Sequence, residues 1–317
     1  MHIVFPDGAA CMHDPAELDP LRRLGSLDYY DAPPPDKATL IDRLRPAEAV
    51  VLDYSEMDAA VLGECQRLRF VSFLGIGYAS CIDVDEATRR GVAIAYTPDY
   101  GATSVAEHAL AMILALTRQI GPAFVSFRDG RWEPGRFVGT ELYGKTLGLV
   151  GLGPIGREVA RLGEGLGMRL IAWTRHAAPE RAVHGLTFVP LETLFEEADV
   201  VSLHLSYRPE THGLISRALL ERMKPTARFV NTARAKLVDN TALAEILAAG
   251  KIAGAAIDVH EEEPPRGEYV FRTLPNVLIT PHIGYNTREA SANMLRIAID
   301  TVLAYARGER LHVVNGM

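Results

Sequence analysis

Three charged residues stand just beyond short apolar runs, and their types suit one chemistry. Arg234 lies in NTARAKLVD (231–239), Glu263 in DVHEEEP (258–264) and His282 in TPHIG (280–284), following the runs ARFVN, AGAAIDV and VLIT. If those runs are parallel strands, all three residues fall at the carboxyl edge of one sheet, where open α/β sheets bind ligands. Arginine clamps a carboxylate with two parallel hydrogen bonds. Histidine donates a proton near neutral pH, and a glutamate beside it orients the ring and stabilises its charged form. Singly, each has a plainer reading: a solvated arginine at a helix start, one of three exposed glutamates, a loop histidine. Converging on one edge, they make a site that holds an acid anion and moves a proton.

A glycine-rich turn supplies a second component. GLGPIG (151–156) directly follows the run TLGLV and precedes the helical pattern EVARLGEGLG. In that context Gly151 permits the tight turn, Gly153 lets a pyrophosphate approach the backbone, and Gly156 brings helix against sheet. Pro154, at the first helical position, lacks only an amide that the helix does not use. GTELYGKT (139–146) also fits a phosphate-loop expression letter for letter, but its strand comes after it, so nucleotide hydrolysis is not expected. The strand that follows the glycine turn ends in IAWTRH (171–176), eighteen residues beyond Gly156, where a ribose-binding Asp or Glu is expected for NAD. Thr174 holds that place, followed by Arg175 and His176.

The rest of the chain alternates short apolar runs with helix-like segments. HIVF (from 2), AVVL (49), FVSFL (70) and VAIA (92) predict a first parallel sheet, separated by helices near 36–44, 57–64 and 83–90. A longer helix is expected from Ser104 to about Gln119, capped by Thr103 or Ser104 with Glu107 inside its first turn. After a polar loop, six runs beginning at 146, 169, 199, 228, 253 and 277 predict a complete dinucleotide-binding sheet. A last helix, 287 to about 306, is expected to return to the first sheet. The fold class is therefore α/β: a Rossmann-type doubly wound parallel sheet over 101–285, plus a smaller flavodoxin-like parallel-sheet substrate domain. That smaller domain is discontinuous, built from 1–100 and 286–317, and the active site is expected in a cleft between the two.

Composition excludes several classes. The 317 residues are 48% hydrophobic and 23% charged with a net charge of −7, so no basic footprint for nucleic acid or anionic membrane is present. The N-terminal stretch MHIVFPDGAACMHD lacks a charged segment followed by a long apolar one, and Cys11, Cys65 and Cys81 are odd in number and widely spaced. A reduced cytoplasmic protein without a metal site is expected.

The stretches FLGIGYASCIDVDEATRRGVAIAYTPDYGATSVAEHALAMILALTR, RFVGTELYGKTLGLVGLGPIGREVARLGEGLGM, NTARAKLVD, AAIDVHEEEP and ITPHIGYNT occur in an order that resembles the D-isomer-specific 2-hydroxyacid dehydrogenases over residues 70 to 315. The resemblance implies hydride transfer between nicotinamide and a 2-keto or D-2-hydroxy acid such as glyoxylate or hydroxypyruvate, in a homodimer built largely through the nucleotide domains. It makes His282 the acid/base, Glu263 its partner and Arg234 the substrate clamp, joined at the substrate carboxylate by the amides of Ile76 and Gly77. For the cofactor it implies Gly151, Gly153, Pro154, Ile155, Gly156, Thr174, Arg175, Leu205, Thr211, Thr232, Ala233, His282 and Gly284, with Asp258 facing the nicotinamide.

The departures from the family pattern are informative. Ser206 stands where the family usually has Pro, beside the contacts carried over to Leu205 and Thr211. The stretch 51–64 has no Lys or Arg and no regulatory domain is expected after residue 317, so phosphoglycerate is disfavoured as substrate; Glu263, where the formate-oxidising branch has Gln, argues against formate. At the missing acid, a neutral Thr174 removes the repulsion of a 2′-phosphate. Arg175, with His176 and Arg181, can supply positive charge to it, so NADP(H) is favoured over NAD(H). The alternative from another class is a dinucleotide-sensing binding protein of the same fold, corepressor-like, without significant turnover.

Overall fold

Short, largely apolar runs such as AVVL and FVSF become strands covered on both faces, as interior parallel strands must be. In the computed structural model, which describes residues 1–8, 14–175 and 185–317, these strands are sorted into two compact units. Met1–Gly101 with Asn286–Met317 form the first, and Ala102–Tyr285 the second. Cys11, His176 and Arg181 lie outside the described residues.

The first unit holds β1 (His2–Phe5), α1 (Asp19–Arg22), β2 (Ser26–Tyr29), α2 (Lys37–Leu44), β3 (Ala49–Leu52), α3 (Ala59–Glu64), β4 (Phe70–Phe73), α4 (Val84–Arg89) and β5 (Ala93–Tyr96). Its sheet is parallel, ordered β2-β1-β3-β4-β5, the flavodoxin-like arrangement. Aspartates start three helices: Asp36, Asp58 and Asp83 accept the amides of Thr39, Val61 and Glu86 at 2.7–3.0 Å. β2 was not expected, because SLDY is partly polar and partly exposed. As an edge strand it pairs only with β1 and needs no continuous apolar run.

The second unit holds α5 (Ala102–Thr117), α6 (Ile120–Arg128), β6 (Thr146–Val150), α7 (Pro154–Gly165), β7 (Arg169–Trp173), β8 (Thr187–Phe188), α8 (Leu191–Glu197), β9 (Val200–Leu203), α9 (Arg217–Leu220), β10 (Arg228–Asn231), α10 (Asn240–Ala248), β11 (Gly254–Ile257) and β12 (Val277–Ile279). The sheet has seven strands rather than six, ordered β12-β11-β10-β9-β6-β7-β8, the extra one being the two-residue β8. α5 starts before Thr103 and Ser104, which lie inside it and are not its cap. α6 was missed because of its Gly121-Pro122 pair, yet proline fits a first helical turn. GTELYGKT bonds to its own surroundings, Gly144 N to Gly167 O (2.9 Å) and Lys145 N to Leu142 O (3.0 Å), and runs straight into β6. These amides are not presented to a phosphate.

The chain then re-enters the first unit as α11 (Arg288–Ala306), capped by Thr287 Oγ1 on Ala290 N at 3.1 Å. Met294, Leu295, Ala298, Ile299 and Val302 pack against Ile3, Phe5, Val51 and Phe70. Within that contact Thr301 Oγ1 donates to Ser72 Oγ at 2.7 Å. Among the described residues no single helix is long and apolar enough to cross a membrane.

Candidate active site

The strand order of the second unit reverses beside β6, which lies between β7 and β9. The loops at that switch point form the ligand crevice of such a sheet. The turn after β6 is Gly151–Gly153. Gly151 has φ +102°, and a Cβ there would lie 2.6 Å from His204 O. Gly156 is tighter still, since its Cβ would meet Gly151 O at 2.3 Å. At Gly153 a Cβ would meet nothing within 4 Å, so that face of the turn is open. No side chain caps α7, which begins with Pro154 and Ile155, leaving its first-turn amides and its dipole free for an anion. Gly151 N donates to Trp173 O at 2.8 Å, which sets the end of β7 beside the turn. Thr174 follows, half-buried, and Arg175 is exposed.

Polar atoms along the same edge are consistent with a dinucleotide. Thr232, at the end of β10, is buried with Oγ1 lacking a partner among the described residues; both ring nitrogens of His204 are likewise buried and unpaired. Burial pushes the His204 pKa down to about 3, so the ring is neutral. Leu205 is half-buried beside Gly151, whereas Thr211 Oγ1 is engaged within its own turn, accepting from Arg208 N at 2.8 Å. Ala233 N donates to Asn231 Oδ1 at 3.0 Å.

His282 and Glu263 are brought together from the loops after β12 and β11. His282 Nδ1 lies 2.7 Å from Glu263 Oε2. A carboxylate only accepts, so Nδ1 carries its proton toward Glu263 and Nε2 is the nitrogen left for substrate. The other glutamate oxygen accepts His260 N at 2.9 Å. Burial alone would raise the Glu263 pKa, but His282 and the His260 amide hold it below the ordinary carboxylate value. His282 has φ +54°, a left-handed conformation that is uncommon outside glycine.

Asp258 imposes it. Its carboxylate, 1% exposed, accepts Ile283 N on Oδ1 (2.9 Å), Gly284 N on Oδ2 (2.8 Å) and Thr280 Oγ1 on Oδ1 (2.6 Å), gripping both sides of His282. His108 Nε2, from α5, stands 3.4 Å from the same oxygen. Burial would raise the Asp258 pKa; hydrogen bonds from His108, Thr280, Ile283 and Gly284 outweigh it and hold the group ionised. His260 adds a further tie, with Nε2 on Thr280 O at 2.9 Å and Nδ1 on the Tyr269 hydroxyl at 2.7 Å. Thr280 O is an acceptor, so His260 carries its proton on Nε2 and takes Tyr269 O–H at Nδ1. The Tyr269 pKa is pushed up to about 12, chiefly by burial, which keeps that hydroxyl a donor.

Arg234 begins the turn after β10. Its guanidinium donates to Ala233 O at 2.7 Å, and Asn231 Nδ2 ties its carbonyl at 3.0 Å. Ile76 and Gly77 belong to the first unit, in the loop after β4, with Ile76 exposed. Sequence reasoning passed over His108, His260 and Tyr269. The two histidines stand in SVAEHALAM and DVHEEEP, but nothing in their spacing tells that they reach Asp258 and Thr280.

Residues 110–284 match the family model described as D-isomer specific 2-hydroxyacid dehydrogenase, NAD binding domain. A glyoxylate reductase of Pyrococcus furiosus is 42% identical over 282 residues, covering 85% of this chain and 82% of the relative. A D-3-phosphoglycerate dehydrogenase of Synechocystis is 38% identical over 289 residues, covering 90% of this chain; the match spans only 51% of that relative. Among solved structures, a glyoxylate reductase from Paecilomyes thermophila superposes with a TM-score of 0.87 at 29% identity, covering 99% of this chain and 98% of that one.

Proposed function

The chain belongs to the D-isomer-specific 2-hydroxyacid dehydrogenases, and from that premise we propose that it is an NADPH-preferring reductase of small 2-keto acids of the glyoxylate and hydroxypyruvate type. The observation that carries the reading is the 2.7 Å His282–Glu263 pair at the carboxyl edge of the same sheet as the glycine turn. Gly151, Gly153, Pro154, Ile155 and Gly156, with Thr232, Ala233 and Gly284, are assigned to the dinucleotide, which supplies the hydride. His282 donates its Nε2 proton to the keto oxygen, and Glu263 stabilises the imidazolium beforehand. Arg234 is assigned as the substrate clamp that fixes the direction of the carbonyl, and in the first unit, taken by itself, the amides of Ile76 and Gly77 are assigned to a substrate carboxylate. Asp258 keeps the His282 turn in register. A binding protein without turnover is not favoured, since the curated relatives are named for catalysis.

Cofactor preference is read from Thr174 and Arg175, which follow β7 beside the glycine turn. With glyoxylate as acceptor, kcat/KM is expected to favour NADPH over NADH by tenfold or more, about 1.4 kcal/mol. Arg175→Ala should erase that gap. Equal or better use of NADH would leave Thr174-Arg175 a tolerant turn and end the NADPH assignment. Absence of turnover with any 2-keto acid would end the reductase reading itself.

A homodimer is proposed through α6 and the loop after it, where Phe124, Phe127 and Trp132 are 62%, 66% and 79% exposed. Contiguous apolar surface of this kind marks an association face. Light scattering at micromolar concentration should give twice the chain mass, and Phe124→Asp with Trp132→Ser should halve it. A monomeric parent protein would refute the dimer.

A further inference from the structure

We propose that Thr97 is a positioning residue for the substrate-carboxylate loop, fixing the amides of Ile76 and Gly77 through Gly75, with Ser80 closing the far end. The proposal rests on the assignment of those two amides to the substrate carboxylate. Thr97 follows β5 and is fully buried. It makes two reciprocal bonds to one residue: Gly75 N donates to Thr97 Oγ1 at 2.6 Å, and Thr97 N donates to Gly75 O at 3.1 Å. Gly75 sits at φ +131°, reachable without strain only by glycine, and a Cβ there would crowd Phe73 at 3.2 Å. The loop therefore leaves β4 in one direction only.

Two residues on, Gly77 O accepts Ser80 N at 3.0 Å and Ser80 Oγ at 2.7 Å. Between these anchors neither the Ile76 nor the Gly77 amide donates to an acceptor among the described residues. Two free donors on adjacent residues, held at both ends, can seat an anion. Donors that need no reorganisation when the carboxylate arrives are worth more than the same donors on a mobile loop. Thr97 touches no substrate in this scheme; it acts through Gly75.

The test compares Thr97→Val, which keeps the shape and removes the acceptor, with Thr97→Ser, which restores it. Measured are KM and kcat for glyoxylate, the inhibition constant of oxamate as a non-reducible carboxylate, the NADPH dissociation constant by fluorescence, and Tm. Thr97→Val should raise KM and the oxamate constant about tenfold, roughly 1.4 kcal/mol, with kcat and NADPH affinity within about twofold, the pattern of lost uniform binding. Thr97→Ser should recover most of the loss. Ser80→Ala, at an exposed position, should raise the same two constants about threefold and covers the case in which Thr97→Val does not fold. A lowered Tm with unchanged KM and oxamate constant would make Thr97 purely structural and overturn the proposal. Gly77→Pro, which removes one amide at a φ of −88° near that of proline, tests the underlying assignment. If Gly77→Pro leaves KM alone, the amides do not hold the carboxylate; if it raises KM while Thr97→Val and Ser80→Ala do not, the seat stands and its proposed anchoring fails.

Discussion

His282→Gln is expected to lower kcat for 2-keto acid reduction by about 10²–10⁴-fold, the usual worth of a positioned general acid, while dinucleotide affinity changes little. Glutamine can still bond to Glu263 but has no proton to deliver. Glu263→Gln should cost less, because the proton donor remains and only the charge that stabilises the imidazolium is lost. Glu263 is held below the ordinary carboxylate value, against burial, by His282 and the His260 amide. Its contribution to stability is present above the unfolded carboxylate pKa and is lost as pH falls through the lowered folded value. The pairing itself should therefore survive mild acid. Steady-state rates across pH for both variants check this, and a loss of less than tenfold in His282→Gln would remove that residue from the chemistry.

Gly156→Ala should be the most damaging single methyl group in the second unit. Its Cβ would lie 2.3 Å from Gly151 O and 3.2 Å from Gly151 C, backbone atoms that cannot swing aside like a side chain. Either α7 moves off the sheet or the glycine turn deforms, at a cost of about 1–3 kcal/mol or more. The expected result is a Tm lower by several degrees together with dinucleotide binding weakened at least tenfold. Gly153→Ala separates the two effects. Its Cβ meets nothing within 4 Å, so Tm should stay within about a degree, yet the methyl stands on the open face of the turn, where the pyrophosphate is assigned. Cofactor binding should weaken by about tenfold. Equal Tm for the parent protein and Gly156→Ala would show that α7 and the turn yield easily, and that the contact is not what holds them.

Much of this was legible because the signals are periodic or chemically narrow. Apolar runs of four or five residues gave the interior strands, and a glycine turn between strand and helix gave the switch point. β2 escaped because an edge strand bonds on one side and tolerates Ser26 and Asp28, and β8 because two residues are too few for a pattern. α6 escaped because Gly121 and Pro122 read as breakers, although a first helical turn accepts them. At the site, residue types that name their chemistry were visible: Arg234, Glu263 and His282. The supporting groups were not. His108 reaches Asp258 across 150 positions of sequence, and His260 serves Glu263 through its backbone amide, to which its side chain gives no clue.

The two ends of the chain share one core, and that fixes an order of events at the ribosome. Ile3, Phe5 and Phe70 are synthesised early, but the helix that covers them ends at Ala306. The intervening second unit is continuous in sequence, from Ala102 to Tyr285, and can close on itself first. At ~5–20 residues per second of synthesis, the 205 residues that follow Gly101 up to and including Ala306 take roughly 10–40 s. For that interval one apolar face of the first sheet waits without its lid. The nascent stretch up to Gly101 is thus the part of this molecule that most needs shielding from other chains, and α11, far from being an appendage, is the step that ends that exposure.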